Sequence, residues 1–277
     1  MAVVRTIGAS GDITGLTADA APDRAADYLA SYDDSVGTNK KVLVQNVGPI
    51  SCELVNKTVN FTSDMTAATM QALIDACGKY IGPGVTLTFQ FGDGTYTIAS
   101  TLTWTQFLGP GIVSIFGNRG EANADDLHTT QSVYIDHGAA NGTVIAVSLC
   151  ALLVQVYNLE IRTKSDSAWT DIAIQGSRCQ NMDIRYNWCI GTATTKGYGI
   201  FVADTPTVHA QENYITRFNF GIGAQNATMF SYVNDDTVVA PLYGLAARYA
   251  GTIGKGSTQP AGSTANEFVE LGGIIRA

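Results

Sequence analysis

Short segments in which apolar and polar residues alternate follow one another along most of the chain. In the segment VTLTFQF, which begins at Val85, every second residue is apolar, and a Gly-Asp-Gly turn at 92–94 leads into the segment TYTI. Alternation with a period of two is typical of strands that bury one face, and Gly-rich turns separate such strands. The pattern therefore predicts two or more strands where the body of the protein begins.

One segment shows helical spacing instead. Apolar residues recur three and four positions apart over residues 65–77. Ser63 or Asp64 can cap the first turn, and Gly78 or Gly82 can end the helix. The sequence predicts a single short helix at this point, ahead of the strands.

Between 111 and 250 the strand-like pieces recur at regular distances. The dipeptides Gly199-Ile200, Gly221-Ile222 and Gly244-Leu245 lie 22 and 23 residues apart. Strand starts lie 26, 26 and 22 residues apart, at Val156, Met182, Val208 and Phe230. An asparagine follows each start, at positions 158, 187, 213 and 234. Asparagine suits a turn because its side chain hydrogen-bonds nearby backbone and tolerates left-handed geometry.

A repeat of this length is too short to hold a helix and a strand, and it cannot bury its apolar side alone. Successive copies are therefore expected to stack as coils of short parallel strands. Inward residues would form ladders, with Ile184 beside Ala210 and Ile200 beside Ile222. A β-sandwich with irregularly spaced turns is the alternative. The dipeptides and the strand starts share one approximate spacing, and this favours an all-β parallel solenoid.

The segment 67–118 resembles the opening of the β-helices found in bacteriophage tail fibres, tail spikes and head fibres, and in the wider pectate lyase-like group. The resemblance lies in the order of elements LIDACGKYI, TLTFQFGDGTYTI, TLTWTQF and IVSIFGN, with DGTYTI and SIFGN as its sharpest pieces. It extends through the coils to about Tyr249. It implies a right-handed single-stranded parallel β-helix, often a homotrimer, displayed on a virion and directed at bacterial surface glycans.

Three regions follow from these observations. Residues 1–62 are expected to form an N-terminal adaptor that docks on other virion proteins, and residues 63–250 the β-helix with a capping helix at its start. Residues 251–277 are expected to form a Gly-, Ser- and Thr-rich linker and a C-terminal strand. A strand beyond a linker needs a partner, so it supports the expected homotrimer.

The composition of the chain limits the classes of molecule that it is expected to bind. Charged residues make up 14% of the chain, its net charge is −8, and no basic run exceeds the pair Lys40-Lys41, which argues against nucleic acid. The longest apolar stretch, at 142–156, contains polar residues and reads as a buried strand, so no membrane insertion is expected. The N-terminus lacks the pattern of a secretory signal, which predicts synthesis in the cytoplasm of a bacterial host. No cofactor is indicated.

Sugar binding would use aromatic side chains in or beside the coils. Sugar rings present apolar C–H faces that stack on flat side chains, while their hydroxyls meet polar groups. The candidates are Trp169, Tyr186, Trp188, Tyr198 and Tyr214, with Arg185 as a polar partner. The same aromatic residues could instead pack within the solenoid or at subunit contacts.

Some proteins of the group that the chain resembles cleave polysaccharide with paired carboxylates. The candidate acids, Asp171, Asp183, Asp204 and Glu212, are spread over several coils and give no obvious stacked pair. No cluster of aspartates indicates a metal site. The sequence therefore favours a virion fibre or spike subunit that attaches to host surface polysaccharide. A depolymerase, either hydrolase or lyase, and a purely structural capsid or tail decoration protein are the alternatives.

Overall fold

The computed structural model describes residues 51–117, 133–137, 142–163, 171–191, 197–234 and 240–277, together with the backbone of four strands in the first 50 residues. The chain divides into two compact units, Met1–Ile50 and Ser51–Ala277. In the first unit two antiparallel pairs are described. Their strands are β1 (Thr6–Ile7) with β2 (Ile13–Thr14), and β3 (Tyr28–Asp33) with β4 (Thr38–Leu43).

In the second unit the described residues form one helix and 23 strands. The elements of its first half are β5 (Cys52–Glu53), β6 (Lys57–Phe61), α1 (Ala67–Asp75), β7 (Tyr80–Ile81), β8 (Thr86–Phe91), β9 (Gly94–Ile98), β10 (Leu102–Thr105), β11 (Leu108–Phe116), β12 (Val133–His137), β13 (Thr143–Ser148), β14 (Ala151–Tyr157) and β15 (Glu160–Arg162). Those of its second half are β16 (Ile172–Ser177), β17 (Asn181–Arg185), β18 (Trp188–Ile190), β19 (Tyr198–Ala203), β20 (Thr207–Gln211), β21 (Tyr214–Thr216), β22 (Phe220–Gln225), β23 (Thr228–Tyr232), β24 (Tyr243–Arg248), β25 (Thr252–Lys255), β26 (Ala265–Glu270) and β27 (Ile274–Arg276).

These strands form three sheets in which all pairing is parallel. The seven-stranded sheet has the order β10-β13-β16-β19-β22-β24-β26, and the five-stranded sheet has the order β21-β18-β15-β12-β9. The eleven-stranded sheet runs β27-β25-β23-β20-β17-β14-β11-β7-β5, with β8 and β6 branching from β11. Each full coil gives one strand to each sheet, and about seven coils stack. The predicted all-β parallel solenoid is confirmed.

The ladders predicted from the repeat are present. Ile184 pairs with Ala210, and Ile200 pairs with Ile222, all with side chains in the core. The four residues taken as strand starts from the sequence repeat, however, do not all pair with one another on neighbouring strands. Met182 and Val208 pair with each other, but Val156 pairs with Ile184 and Phe230 with His209. Coils differ in length, so constant spacing in the sequence does not give constant register.

The structure explains why glycine precedes isoleucine in the repeated dipeptide. Gly199 and Ile200 both face the core, whereas the flanking Tyr198 and Phe201 lie together on the outer surface. A Cβ atom on Gly199 would lie 2.3 Å from Cγ2 of Ile215, so a side chain does not fit there without rearrangement. The core therefore leaves no room for a side chain at Gly199, whereas the matching positions of β16 and β13 hold Ala173 and Val144.

Helix α1 covers the first coils and differs slightly from its prediction. Its N-cap is Thr66, whose hydroxyl accepts a hydrogen bond from the Thr69 N–H at 3.2 Å, so the predicted caps Ser63 and Asp64 are wrong. Gln71 exchanges two hydrogen bonds with the backbone of Thr103, at 2.9 and 2.8 Å. Because Thr103 lies on the edge strand β10, the glutamine amide substitutes for a further strand. No helix in the described part of the chain has the length and apolarity needed to cross a membrane.

The C-terminal segment continues the solenoid. Strand β25 lies within the stretch expected to be a linker and pairs with β23. Strands β26 and β27 pair with β24 and β25. The C-terminal strand therefore has partners within its own chain and gives no support for a trimer. At the other end, β5 and β6 belong to the unit that begins at Ser51. A docking role for residues 1–62 stays a prediction.

Candidate functional site

A buried row of asparagines fixes the turn that follows the eleven-stranded sheet. Asn187, Asn213 and Asn234 lie in successive coils, each no more than 1% exposed. The residue before each of them has a left-handed backbone, with φ of 58° at Tyr186 and 55° at Glu212. The turn therefore bends in the same way in each coil, and the side chains that precede it on the sheet are held in register.

Asn158 has a different role from the other three asparagines. It carries the left-handed conformation itself, with φ of 60°, and so matches Tyr186 rather than Asn187 in position. The next residue, Leu159, lies in the place of the buried row, and its N–H donates to Asn187 Oδ1 at 3.2 Å. The prediction that asparagines form the turns is confirmed, with two distinct uses of the same residue type.

The outer face of the eleven-stranded sheet carries two adjacent columns of polar and aromatic side chains. One column is Ser114, Gln155, Asp183, His209 and Phe230, and the other is Phe116, Tyr157, Arg185, Gln211 and Tyr232. We call these ten residues the polar–aromatic face. Neighbouring strands lie about 4.8 Å apart, so the five rows extend over roughly 19 Å.

The N-terminal rows of the face are held by a chain of hydrogen bonds. Gln155 Nε2 donates to the Tyr157 hydroxyl at 3.3 Å, and that hydroxyl donates to Asp183. Arg185 Nε donates to the other oxygen of Asp183 at 2.6 Å. Ser114 completes the chain by donating to Gln155 at 3.3 Å. These planar groups are therefore pre-positioned at the surface.

The charges of the side chains in this hydrogen-bonded group compensate each other. Burial, together with the hydrogen bond and charge of Asp183, raises the pKa of the Tyr157 phenol, so it stays a hydrogen-bond donor. Burial lowers the pKa of Arg185, but its hydrogen bond and ion pair with Asp183 outweigh this and raise the pKa overall. Asp183 and Arg185 thus form a charge-neutral pair.

The C-terminal rows of the face present open aromatic surface. Phe230 and Tyr232 are each 50% exposed, on the same strand and pointing to the same side. The His209 ring lies 5.4 Å from that of Phe230, and Gln211 pairs with Tyr232 in register. Isolated exposed apolar residues are common on proteins, but two aligned aromatic rings beside ordered polar groups form a platform.

The structure separates the aromatic residues proposed from the sequence. Tyr186 adjoins the face, with its ring 6.4 Å from that of Tyr157, and Arg185 belongs to the face. Trp188 and Tyr214 lie on the five-stranded sheet, where their rings meet edge to face at 4.8 Å and Tyr214 is 1% exposed. Tyr198 lies on the seven-stranded sheet and is buried. Trp169 falls outside the described residues.

The four candidate acids occupy different places. Asp171 is buried ahead of β16 and accepts from the Gly142 N–H at 3.1 Å. Asp204 is a turn residue with φ of 50°, and Glu212 occupies the left-handed position of its own turn, where Gln211 donates to it at 2.7 Å. Asp183 alone is part of the face. Among the residues that the structure describes, no three His, Cys, Asp or Glu side chains are grouped as metal ligands.

Sequence reasoning missed most of the residues that complete the face. Gln155, Tyr157, His209, Phe230 and Tyr232 were not among the proposed sugar-binding residues. A signal was present, because residues two apart in a strand share a face, which places the aromatic pair Phe230 and Tyr232 of MFSY on one side of β23. Alternation shows which residues point outward but not which outward residues of other coils lie beside them.

The chain matches no protein-family model, and no curated protein is significantly similar to it.

Proposed function

We propose that the protein attaches to a cell-surface polysaccharide through the polar–aromatic face. The observation that carries this proposal is the alignment of two half-exposed rings, Phe230 and Tyr232, with rows of ordered hydrogen-bonding groups. The rings offer stacking surface for the apolar faces of sugars. His209, Gln211 and the pair Asp183–Arg185 offer donors and acceptors for hydroxyl groups.

The shape and charge of the face suit an extended glycan. Its two columns run over five strands, roughly 19 Å, and both are open along the outer side of the sheet at Phe230 and Tyr232. Because Asp183 and Arg185 neutralise each other, the face carries no strong field that would demand a highly charged polymer. Weak contacts spread along the face match a neutral or lightly charged polysaccharide.

The resemblance of segment 67–118 to phage fibre and spike β-helices supports a place on a virion. On this proposal the protein is a fibre or spike subunit, made in the cytoplasm of a bacterial host and docked on other virion proteins through its N-terminal region. A homotrimer would present three faces, and multivalency converts weak sites into firm attachment. Light scattering tests the trimer, which a monomeric mass would exclude.

Attachment is favoured over cleavage by the positions of the acids. Glycoside hydrolysis needs two carboxyl groups about 5 to 9.5 Å apart, one of them able to give up a proton. Asp183 already accepts hydrogen bonds from both Tyr157 and Arg185. Asp171 precedes β16 and Asp204 lies in the turn after β19, both away from the face. Glu212 adjoins the face, where its carboxylate accepts a hydrogen bond from Gln211 at 2.7 Å.

The test is binding of the full chain to a glycan array of bacterial capsular and O-antigen polysaccharides, with parallel assays for new reducing and unsaturated ends. The double variant Phe230→Ala/Tyr232→Ala should lose at least tenfold in affinity. Leu54→Ala removes a 68% exposed apolar side chain elsewhere and serves as the control.

Each outcome is informative. Loss of binding in the double variant, without new ends in the wild type, supports attachment through this face. Release of oligosaccharide by the wild type would replace attachment by depolymerase activity. Unchanged binding in the double variant would overturn the assignment of the face. No binding to any polysaccharide would favour a structural decoration role.

A further inference from the structure

A second group of aromatic residues lies on the outer surface of the seven-stranded sheet, in its C-terminal coils. Tyr198, Phe220 and Tyr243 occupy one column of neighbouring strands. The rings of Tyr198 and Phe220 stack with centroids 4.9 Å apart, and those of Phe220 and Tyr243 stack at 5.3 Å. These rings form a continuous apolar strip over three coils.

The adjacent column opens a cleft beside this strip. Its members are Phe201, Gly223, Ala246 and Phe268, so two small residues separate two large ones. The Tyr198 ring fills the space above Gly223, where a Cβ atom would lie 2.7 Å from it. The remaining cleft has a volume of about 580 Å³ and is lined by Asn219, Phe220, Leu242, Tyr243, Arg248 and Phe268.

Arg248 provides the polar side of the cleft and is held in place by two contacts. Its Nε donates to Glu270 at 2.7 Å and its Nη1 to the Tyr198 hydroxyl at 3.0 Å. A guanidinium has five N–H donors, and within the described residues the other three have no protein partner. Glu270 therefore balances the charge of Arg248, and the remaining N–H groups of the guanidinium can donate to a ligand.

We propose that this cleft binds a short neutral saccharide. A sugar ring would stack on Tyr243 and Phe268, and its hydroxyls would accept from Arg248 and bond to the amide of Asn219. A purely apolar ligand would cover these polar groups without bonding them, which is costly. An acidic sugar would place its carboxylate near that of Glu270. The preference for a saccharide rests on the proposed attachment function, whereas the cleft is defined by its own residues.

The cleft and the polar–aromatic face would then act as two separate sugar sites. They lie on different sheets of the solenoid and share no residue. Two weak sites on one chain raise the overall affinity for a polymer that reaches both. Their separation also allows each to be removed without the other.

The experiment uses the full chain and four probes: maltotetraose, cellotetraose, mannotetraose and the acidic tetragalacturonate. Calorimetric titration measures affinity, and spectra of ¹³C-phenylalanine-labelled protein report which of the ten phenylalanines is perturbed. The Phe268 signal is assigned by its absence in Phe268→Ala. That side chain lies on the edge strand β26 and is only partly buried, so thermal unfolding is expected to change little.

The expected result is that at least one neutral probe binds and shifts the Phe268 signal, with tetragalacturonate weaker. Phe268→Ala should weaken this binding at least tenfold, and Arg248→Lys at least threefold, while Leu54→Ala, outside both proposed sugar sites, leaves it unchanged. If no neutral probe binds the wild type, or if binding survives Phe268→Ala, the cleft proposal fails. If polysaccharide binding at the same time depends on Phe230 and Tyr232, the proposed attachment function stands without the cleft.

Discussion

Asn213 accepts two hydrogen bonds from Asn187 through its side-chain oxygen, one from the backbone N–H and one from the side-chain amide, each at 3.1 Å. Asn213 in turn donates its own N–H and amide to Asn234 at 2.9 and 3.0 Å. Its amide also donates to the Ile184 carbonyl at 2.9 Å. The asparagine side chains thus supply the acceptors for buried backbone N–H groups of this turn, those of Leu159, Asn187 and Asn213.

Replacing Asn213 by alanine should therefore destabilise the solenoid strongly. The change removes the acceptor of the Asn187 N–H and of its side-chain amide within the buried row. A buried polar group left without a partner costs about 1–3 kcal/mol. We expect the free energy of unfolding to fall by roughly 3 kcal/mol, measured by urea denaturation. Asn181→Ala, on the outer face of β17, is the matched control and should cost less than about 1 kcal/mol. Equal effects of the two changes would contradict a structural role for the row.

The contact between Tyr157 and Asp183 is expected to couple the two side chains in the polar–aromatic face. The Tyr157 hydroxyl donates to an ionised carboxylate, and such bonds are worth about 1.5–3 kcal/mol. A double-mutant cycle with Tyr157→Phe and Asp183→Asn should give a coupling energy of about 1–2 kcal/mol. The cycle of Asp183→Asn with Tyr232→Phe, two strands away, should give a coupling close to zero. A coupling as large in the distant pair would show that the changes act through global destabilisation.

Replacing Gly223 by alanine should destabilise the protein, because the site has no room for a methyl group. Its Cβ would lie 2.7 Å from two atoms of the Tyr198 ring, which is itself stacked on Phe220 and cannot move freely. Gly223→Ala should lower the free energy of unfolding by about 1–3 kcal/mol through overpacking. Gly254→Ala, whose Cβ would lie 3.3 Å from the exposed Phe230 ring, is the control. The control should stay within about 1 kcal/mol of the wild type, and a reversed order of the two would exclude the packing explanation.

Tyr96 should make the stability depend on pH in the alkaline range. Burial raises the pKa of its phenol from 10.0 to about 12, and the hydroxyl donates to the carbonyls of Phe61 and Gly92. A raised pKa means that the folded state holds its proton more tightly than the unfolded state. The contribution of Tyr96 is therefore fully present below pH 10 and is lost as the pH rises through 12.

Two measurements check this prediction. Denaturation at several pH values should show a steeper loss of stability above pH 10 for the wild type than for Tyr96→Phe. Absorbance titration at alkaline pH should show one phenol fewer ionising near pH 12 in the variant. An identical slope in both proteins would mean that the phenol is accessible to hydroxide in the folded state.

Much of the fold was predictable from local patterns because a solenoid repeats one small packing problem. The inward pairs Ile184–Ala210 and Ile200–Ile222 follow from apolar spacing alone. The outer surface has no such constraint, since many polar and aromatic residues are tolerated there. Consequently the predicted sugar-binding set of Tyr186, Trp188, Tyr198 and Tyr214 is distributed over three surfaces, and only Arg185 and its neighbour lie at the polar–aromatic face.

The sequence by itself determined the all-β coil, the helix that precedes it and the turns marked by asparagine, because burial and turn geometry impose short-range rules that residues must obey. Tertiary structure decided which outward side chains became neighbours. The pair Ile145–Ile174 is separated by 29 residues and the pair Ile200–Ile222 by 22, so the register depends on turns of unequal length. Only stacking of the coils brings Phe230 beside His209, and Tyr157 beside Asp183. The candidate site is formed by side chains from successive coils, and their adjacency arises when the backbone closes each coil on the one before it.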